Sequence, residues 1–276
     1  MADLLDDPHD ADVYGTAARR LEGARYIGFD TAQGITRLTL NRPPANVLSV
    51  EMLEEVRSAL EALEYQKEVK LLVVAAQGKY FSAGFELGDH LGDRAYVMLE
   101  AFRAIVEHLH RLDKPSLGVV AGPALGAGCT LATSCDVVLA AQSARLGHPE
   151  IKGGVFNPVA TALLPRLVGR KKAYELILGG GALTAADAER AGLITRAVPD
   201  EKLETEVAAL VERFKEGSAP ILQCTRRAIA GGLDRPLTEA IDHGEDVYLN
   251  QLMGVEDFEE GLSAVMGRRK PAWKDR

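Results

Sequence analysis

Cysteine is scarce in this sequence: Cys129, Cys135 and Cys224 are an odd number, cannot all pair, and lie in apolar surroundings. That excludes a disulfide framework and fits reduced, buried thiols in a cytoplasmic protein. Metal-ligand spacing is lacking as well, since Cys129 and Cys135 are not set as a zinc pair, and neither a metal nor a redox cofactor is expected. The glycines of 122–128 lack the lysine and hydroxyl residue of a phosphate-cradling P-loop. No apolar run approaches the length of a membrane span. The opening MADLLDDPHDADVYG is acidic where a signal or transit peptide is basic or apolar, so residues 1–22 read as a polar lead-in. Positive charge is in deficit: a formal net charge of -8 disfavours nucleic acid as a partner, while a local basic patch could still take a phosphorylated small molecule. Low-complexity stretches and solenoid repeats are missing too.

What the chain does contain is enough for a core, with 47% hydrophobic and 26% charged residues. β-like runs at 26–29 and 35–40, separated by Gln33-Gly34, predict a hairpin that Asn41-Arg42-Pro43-Pro44 ends. Ser49 stands as the N-cap of a helix whose Met52, Leu53, Val56, Leu60 and Leu63 share one face. A strand at 69–76, a helix at 94–112, a strand at 117–120, a helix near 127–134 and a strand at 136–140 follow. Strands alternating with helices predict an α/β fold with parallel pairing. Beyond Val155 helices dominate, at 159–167, 171–178, 185–191, 202–215 and 221–230, with two more after Pro236 and one strand at 194–198. The expected organisation is a lead-in at 1–22, a core at 23–200 and a helical region at 201–276.

Two strand ends feed small-residue turns: YFSAGFEL at 80–87, and GPALGAGCTLATSCD at 122–136. Small residues let backbone approach another backbone or a ligand closely. Two such turns can aim free N–H groups into one cleft as an oxyanion hole, strengthened by a helix N-terminus; equally, both can be tight connections and nothing more.

The ordered motifs NRPPANVLS (41–49), GKYFSAGFEL (78–87), KPSLGVVAGPALGAGCTLATSCDVVLA (114–140) and ARLGHPEIKGGVF (144–156) resemble the crotonase (enoyl-CoA hydratase/isomerase) superfamily. The resemblance continues through LPRLVGRKKAYELILGG and LTAADAERAGLI to DFEEGLSAVMGRRKPAW at 257–273, and covers the chain from about residue 25. It implies a spiral of ββα units with a helical C-terminal trimerisation region, a homotrimer or homohexamer, and an acyl-CoA thioester as substrate. Coenzyme A is then part of the substrate, and no separate cofactor is implied. By the same resemblance the thioester oxygen lies between the backbone N–H groups of Phe85 and Ala127. The turn at Ser82 and Ala83 would contact the adenine, Arg268 and Lys270 the CoA phosphates, and Glu150 would be the catalytic carboxylate. A carboxylate among apolar neighbours has its pKa raised, which suits it to moving protons.

The sequence also departs from the family pattern. A second glutamate, which typical hydratases carry on the helix of the second turn, corresponds to Thr130. Threonine can bond water or substrate but is no base at neutral pH, and it can instead back-bond to the preceding turn. His148, two residues before Glu150, and His90 are further acid/base candidates, or simply packing and loop residues. Asn157 falls where aryl-CoA dehalogenases carry a nucleophilic aspartate, and an amide cannot serve. Asp136 reads as fixing a helix-to-strand turn. The NRPPANVLS, PEIKGGVFNPVA and LPRLVGRKKAYELIL segments are similar to cyclohexadienecarbonyl-CoA hydratases. The leading expectation is a hydratase of a conjugated enoyl- or dienoyl-CoA, open-chain or cyclic. The alternatives are a double-bond isomerase using one glutamate and a non-catalytic acyl-CoA binder.

Overall fold

The computed structural model describes residues 23–276, so the expected lead-in at 1–22 lies outside the described residues. β1 (Ile27–Ala32) and β2 (Ile35–Leu40) pair antiparallel. Gln33 and Gly34, both at positive φ (52° and 76°), make the two-residue turn whose twist suits a hairpin. β3 (Leu71–Ala76), β4 (Ser116–Val120), β5 (Ala124–Leu125), β6 (Val137–Ala141), β7 (Arg145–Gly147), β8 (Ala182–Thr184) and β9 (Arg196–Val198) complete the strands. The main sheet runs β1-β2-β3-β4-β6-β9, parallel from β2 onward, and a small sheet runs β5-β7-β8. Every residue of β4 is buried, as are the first four of β3, as expected of parallel strands covered on both faces.

The helices are α1 (Val50–Glu64), α2 (Arg94–Arg111), α3 (Ala127–Thr133), α4 (Pro158–Gly179), α5 (Ala185–Arg190), α6 (Leu203–Lys215), α7 (Ala219–Gly232), α8 (Leu237–Asn250) and α9 (Glu256–Met266). α1 starts where the Ser49 hydroxyl accepts from Met52 N–H, and its predicted apolar face is buried. α4 is interrupted at Gly169, whose φ of 74° is not helical, so the helices expected at 159–167 and 171–178 stand end to end. The α/β spiral core and its helical C-terminal region are both present.

α7 is locked to the core by polar side chains. The Gln223 amide donates to the Lys67 and Val69 carbonyls at 2.8 and 3.1 Å. Arg226 donates to the Leu109 carbonyl at 2.7 Å and to Asp136 at 2.8 Å. Asp136 also accepts from Ser116 N–H and hydroxyl, so it ties β4, β6 and α7 together, the turn-fixing role expected of it. The last residues run back to the start of β3, where Lys70 pairs with Asp275 at 3.1 Å. The two glycine-rich turns sit at the other, C-terminal ends of β3 and β4, where open parallel sheets place ligands.

Candidate active site

The turn after β3 is stitched to the turn after β4 by backbone. Phe81 N–H donates to Pro123 O at 3.0 Å, and Leu125 N–H to Ser82 O at 2.9 Å. On its other side, Leu48 N–H donates to Gly84 O at 2.8 Å and Glu86 N–H to Leu48 O at 3.0 Å. This bridge leaves the Phe85 N–H facing away from residue 48, with no acceptor among the described residues. The Ala127 N–H, first of α3, is likewise without an acceptor among the described residues. A Cβ added to Gly84 would lie 3.7 Å from that nitrogen, so the two turns bring both donors into one place. The α3 N-terminus adds its partial positive charge there. The Phe85 ring packs edge-on against Phe102 and His90, with centroids 4.9 and 5.8 Å apart. His90 therefore supports the turn through its ring.

Glu150 reaches the same place from the 3-10 turn Pro149–Gly153. The small sheet brings it there: Gly126 N–H donates to Gly147 O at 2.8 Å, and His148 N–H to Gly181 O at 3.1 Å. A Cβ on Gly126 would meet the Glu150 Oε1 at 2.8 Å, and its φ of 56° also favours glycine. The carboxylate thus lies against the backbone immediately before Ala127. Glu150 Oε1 is 3.6 Å from His148 Nδ1, with the side chains 14% and 2% exposed. That Oε1 and both ring nitrogens of His148 are buried without a hydrogen-bond partner among the described residues. Burial works against a charged His148 ring, but the Cys129 sulfur and then the Glu150 carboxylate beside it outweigh burial and push its pKa up to about 10. His148, Glu150, Ile151, Phe156 and Asn157 line a small cavity with room for about one water.

Thr130 is buried on α3, one turn behind Ala127. Its hydroxyl donates to Gly126 O at 3.4 Å, the back-bonding arrangement, and accepts from Asn157 Nδ2 at 3.1 Å. Asn157 in turn caps α4, its Oδ1 accepting from Val159 and Ala160 N–H. Thr130 does not line the cavity; Asn157 does. Sequence reading considered Asn157 only as a missing nucleophile, although the Asn157-Pro158 pair carries the helix-start signal of a cap followed by N1 proline.

The remaining expected residues divide. Ser82 is fully buried, its hydroxyl accepting from Gly84 N–H at 3.2 Å and its Cβ filling the space that Gly128 leaves. Its expected adenine contact is corrected accordingly: the side chain builds the turn, and at this point a ligand would meet the half-buried Ala83. Arg268 and Lys270 are exposed and lie apart from the site residues among the described residues; the chain after them is pinned by Lys70 at the opposite end of β3. One chain does not bring them to Phe85 and Ala127. Among the described residues no group of three or more His, Cys, Asp or Glu could hold a metal ion, and no helix is long and apolar enough to cross a membrane.

The family model described as enoyl-CoA hydratase/isomerase matches residues 30–276. The chain belongs to the enoyl-CoA hydratase/isomerase family. Among its relatives is the probable enoyl-CoA hydratase of Rhizobium meliloti, 34% identical over 250 residues that cover 90% of this chain and 97% of the relative. Another is the cyclohexa-1,5-dienecarbonyl-CoA hydratase of Thauera aromatica, 32% identical, covering 88% of this chain and 93% of that protein. The crystal structure of enoyl-CoA hydratase from Bacillus anthracis superposes with a TM-score of 0.86 at 28% identity, covering 91% of this chain and all of the other. The relatives are named as enoyl-CoA hydratases, so the family is one of enzymes.

Proposed function

We propose that the protein hydrates a conjugated, cyclic enoyl- or dienoyl-CoA thioester. The observation that carries this reading is the placement of Glu150 against Gly126, beside the two unengaged N–H groups of Phe85 and Ala127. In this mechanism the thioester oxygen accepts from both N–H groups, which stabilise the negative charge as it develops. Glu150 takes a proton from water, the resulting hydroxide bonds to the β-carbon, and the double-bond electrons move onto the thioester as an enolate. Return of the proton to the α-carbon re-forms the carbonyl and leaves a hydroxyacyl-CoA. The cyclic substrate is supported by the Thauera relative's name. No cofactor is required, since coenzyme A arrives on the substrate.

An enoyl-CoA panel that includes crotonyl-CoA and cyclohexa-1,5-dienecarbonyl-CoA, read by mass spectrometry, tests the reading. Product heavier by one water is expected from wild type, with Glu150→Gln slower by about 100-fold or more. A shifted double bond without added mass points instead to the isomerase, a reading favoured by the engagement of Thr130 with Gly126 and Asn157, which leaves one carboxylate at the site. CoA binding with no turnover of any substrate sinks both in favour of a binder.

A homotrimer or homohexamer is proposed as the working assembly. Support comes from exposed apolar side chains on α7 to α9, among them Leu233, Leu237, Leu249, Val265 and Met266. Arg268 and Lys270 remain proposed partners of the CoA phosphates. Light scattering on a sizing column decides the assembly, and a monomer would remove that part of the proposal.

A further inference from the structure

Three buried polar atoms at the site have no hydrogen-bond partner among the described residues: His148 Nδ1, His148 Nε2 and Glu150 Oε1. Buried polar atoms are nearly always paired, and an unpaired one costs on the order of 1–3 kcal/mol. Here two of the three face each other at 3.6 Å, a few tenths of an ångström beyond hydrogen-bond length. An imidazole nitrogen without a proton would oppose its lone pair to the carboxylate's. A proton on Nδ1 turns the same contact into a donor–acceptor pair, and a second on Nε2 makes the ring a cation, which suits a carboxylate neighbour.

Glu150 is the carboxylate at that 3.6 Å approach to Nδ1, and the groups around the ring leave it no competing anion from α4 or β8. The titratable groups facing the ring are Glu150 on its own segment and Cys129 on α3. β8 offers the backbone alone, through the Gly181 carbonyl that takes the His148 N–H. The cavity wall from α4 and its cap, Asn157, Ala160 and Ile177, carries no ionisable side chain. The carboxylate is in turn confined on its other side by the Gly126 backbone.

We propose that His148 is a positioning residue for Glu150: its imidazolium donates to Oε1 and holds the carboxylate against Gly126 beside the Ala127 N–H. The inference rests on Glu150 being the acid/base group. It gives the site a second polar group in place of a second carboxylate, on the strand-to-turn segment and away from Thr130. Removing the ring's donor should alter the pH dependence of kcat/KM as well as its size, which a merely structural role would not do. The limbs of the profile belong to the coupled pair.

The test is the pH profile of kcat/KM for crotonyl-CoA hydration in wild type, His148→Gln and His148→Leu, together with ring-nitrogen NMR of histidine-labelled wild-type protein. The acid limb is expected to move in both variants, with kcat down about 100-fold through loss of positioning. A uniform loss of rate with an unmoved acid limb overturns the proposal. The NMR requires neither a folded variant nor a substrate. Both His148 ring nitrogens protonated at about pH 8, where an ordinary histidine is neutral, supports the clamp, and a neutral ring at that pH overturns it. Glu150→Gln separates the two readings: a variant that still hydrates at the wild-type rate removes Glu150 from catalysis. An inactive Glu150→Gln with an unmoved limb in His148→Gln removes the clamp alone.

Discussion

The Asn157 Nδ2 donates to the Thr130 hydroxyl at 3.1 Å, while the Asn157 Oδ1 takes the Val159 and Ala160 N–H groups at 3.0 and 3.3 Å. One buried amide thereby fixes the start of α4 to the middle of α3. The position at which the resemblance implies a second carboxylate is thus occupied by a neutral, internally bonded pair. Thr130→Val keeps shape but removes the acceptor, leaving Nδ2 buried without a partner; the expected loss is about 1–3 kcal/mol. Asn157→Ala loses the cap as well, typically about 1 kcal/mol more. Urea unfolding of both single variants and the double variant checks this, and strictly additive losses would deny the coupling.

Gly126 decides whether Glu150 can occupy its place. In Gly126→Ala the new methyl carbon would fall 2.8 Å from the Glu150 Oε1, at a backbone φ of 56° that L-residues disfavour. The carboxylate or the turn must move, and displacement by an ångström at a reacting group costs about 100-fold in rate. Steady-state kinetics on a turned-over enoyl-CoA should show kcat reduced by about that factor. Unchanged kcat would mean that the carboxylate's seat against Gly126 is immaterial to the chemistry.

Most of the larger sheet was legible in the sequence because β1, β2, β3, β4 and β6, of five or six residues each, are long enough to show a pattern. Residues 69–76 and 117–120 are apolar runs, and α1 announces itself through Ser49 and the spacing of Met52, Val56 and Leu63. β5, β7 and β8, of two or three residues each, are too short to display alternation, yet they bring Gly126 and His148 together. The donors Phe85 and Ala127 came from a resemblance, whereas their freedom from acceptors is a property of backbone direction that no residue type records. Ser82 was misassigned because a hydroxyl in a ligand-facing turn and one bonded within the turn have the same sequence.

The His148 ring also predicts a pH dependence of stability. Its pKa in the folded protein is raised, burial opposing the charge while Cys129 and Glu150 outweigh it. A raised folded-state pKa means that the native state binds the proton more tightly than the unfolded chain does. The stabilisation is therefore complete below the unfolded value near 6.5 and is lost as pH rises through about 10. Urea unfolding of wild type and His148→Gln at several values across that window should show the gap between them closing as pH rises. A gap that widens toward alkaline pH would mean that the ring is held neutral.

Arg226 supplies a contrasting case, in which stability and activity should separate. Its guanidinium, on α7 and largely buried, meets Asp136 Oδ2 at 2.8 Å and the carbonyls of Leu109 and His110 at 2.7 and 3.3 Å, and also that of Leu112. Asp136 precedes β6 and reaches Ser116 at the start of β4, so this network closes the N-terminal ends of the strands, opposite the two small-residue turns. Arg226→Ala leaves Asp136, about a third exposed, with only its Ser116 partners, and three carbonyls short of a donor, a loss of about 1–3 kcal/mol. Arg226→Lys should recover little of it, because a single ammonium cannot reproduce the planar fork. Denaturation midpoints measure the loss. Assays at a temperature where every variant remains folded should give kcat/KM close to wild type, and a large drop there would mean that the α7 clamp transmits strain through β4 to the Gly126–Ala127 turn.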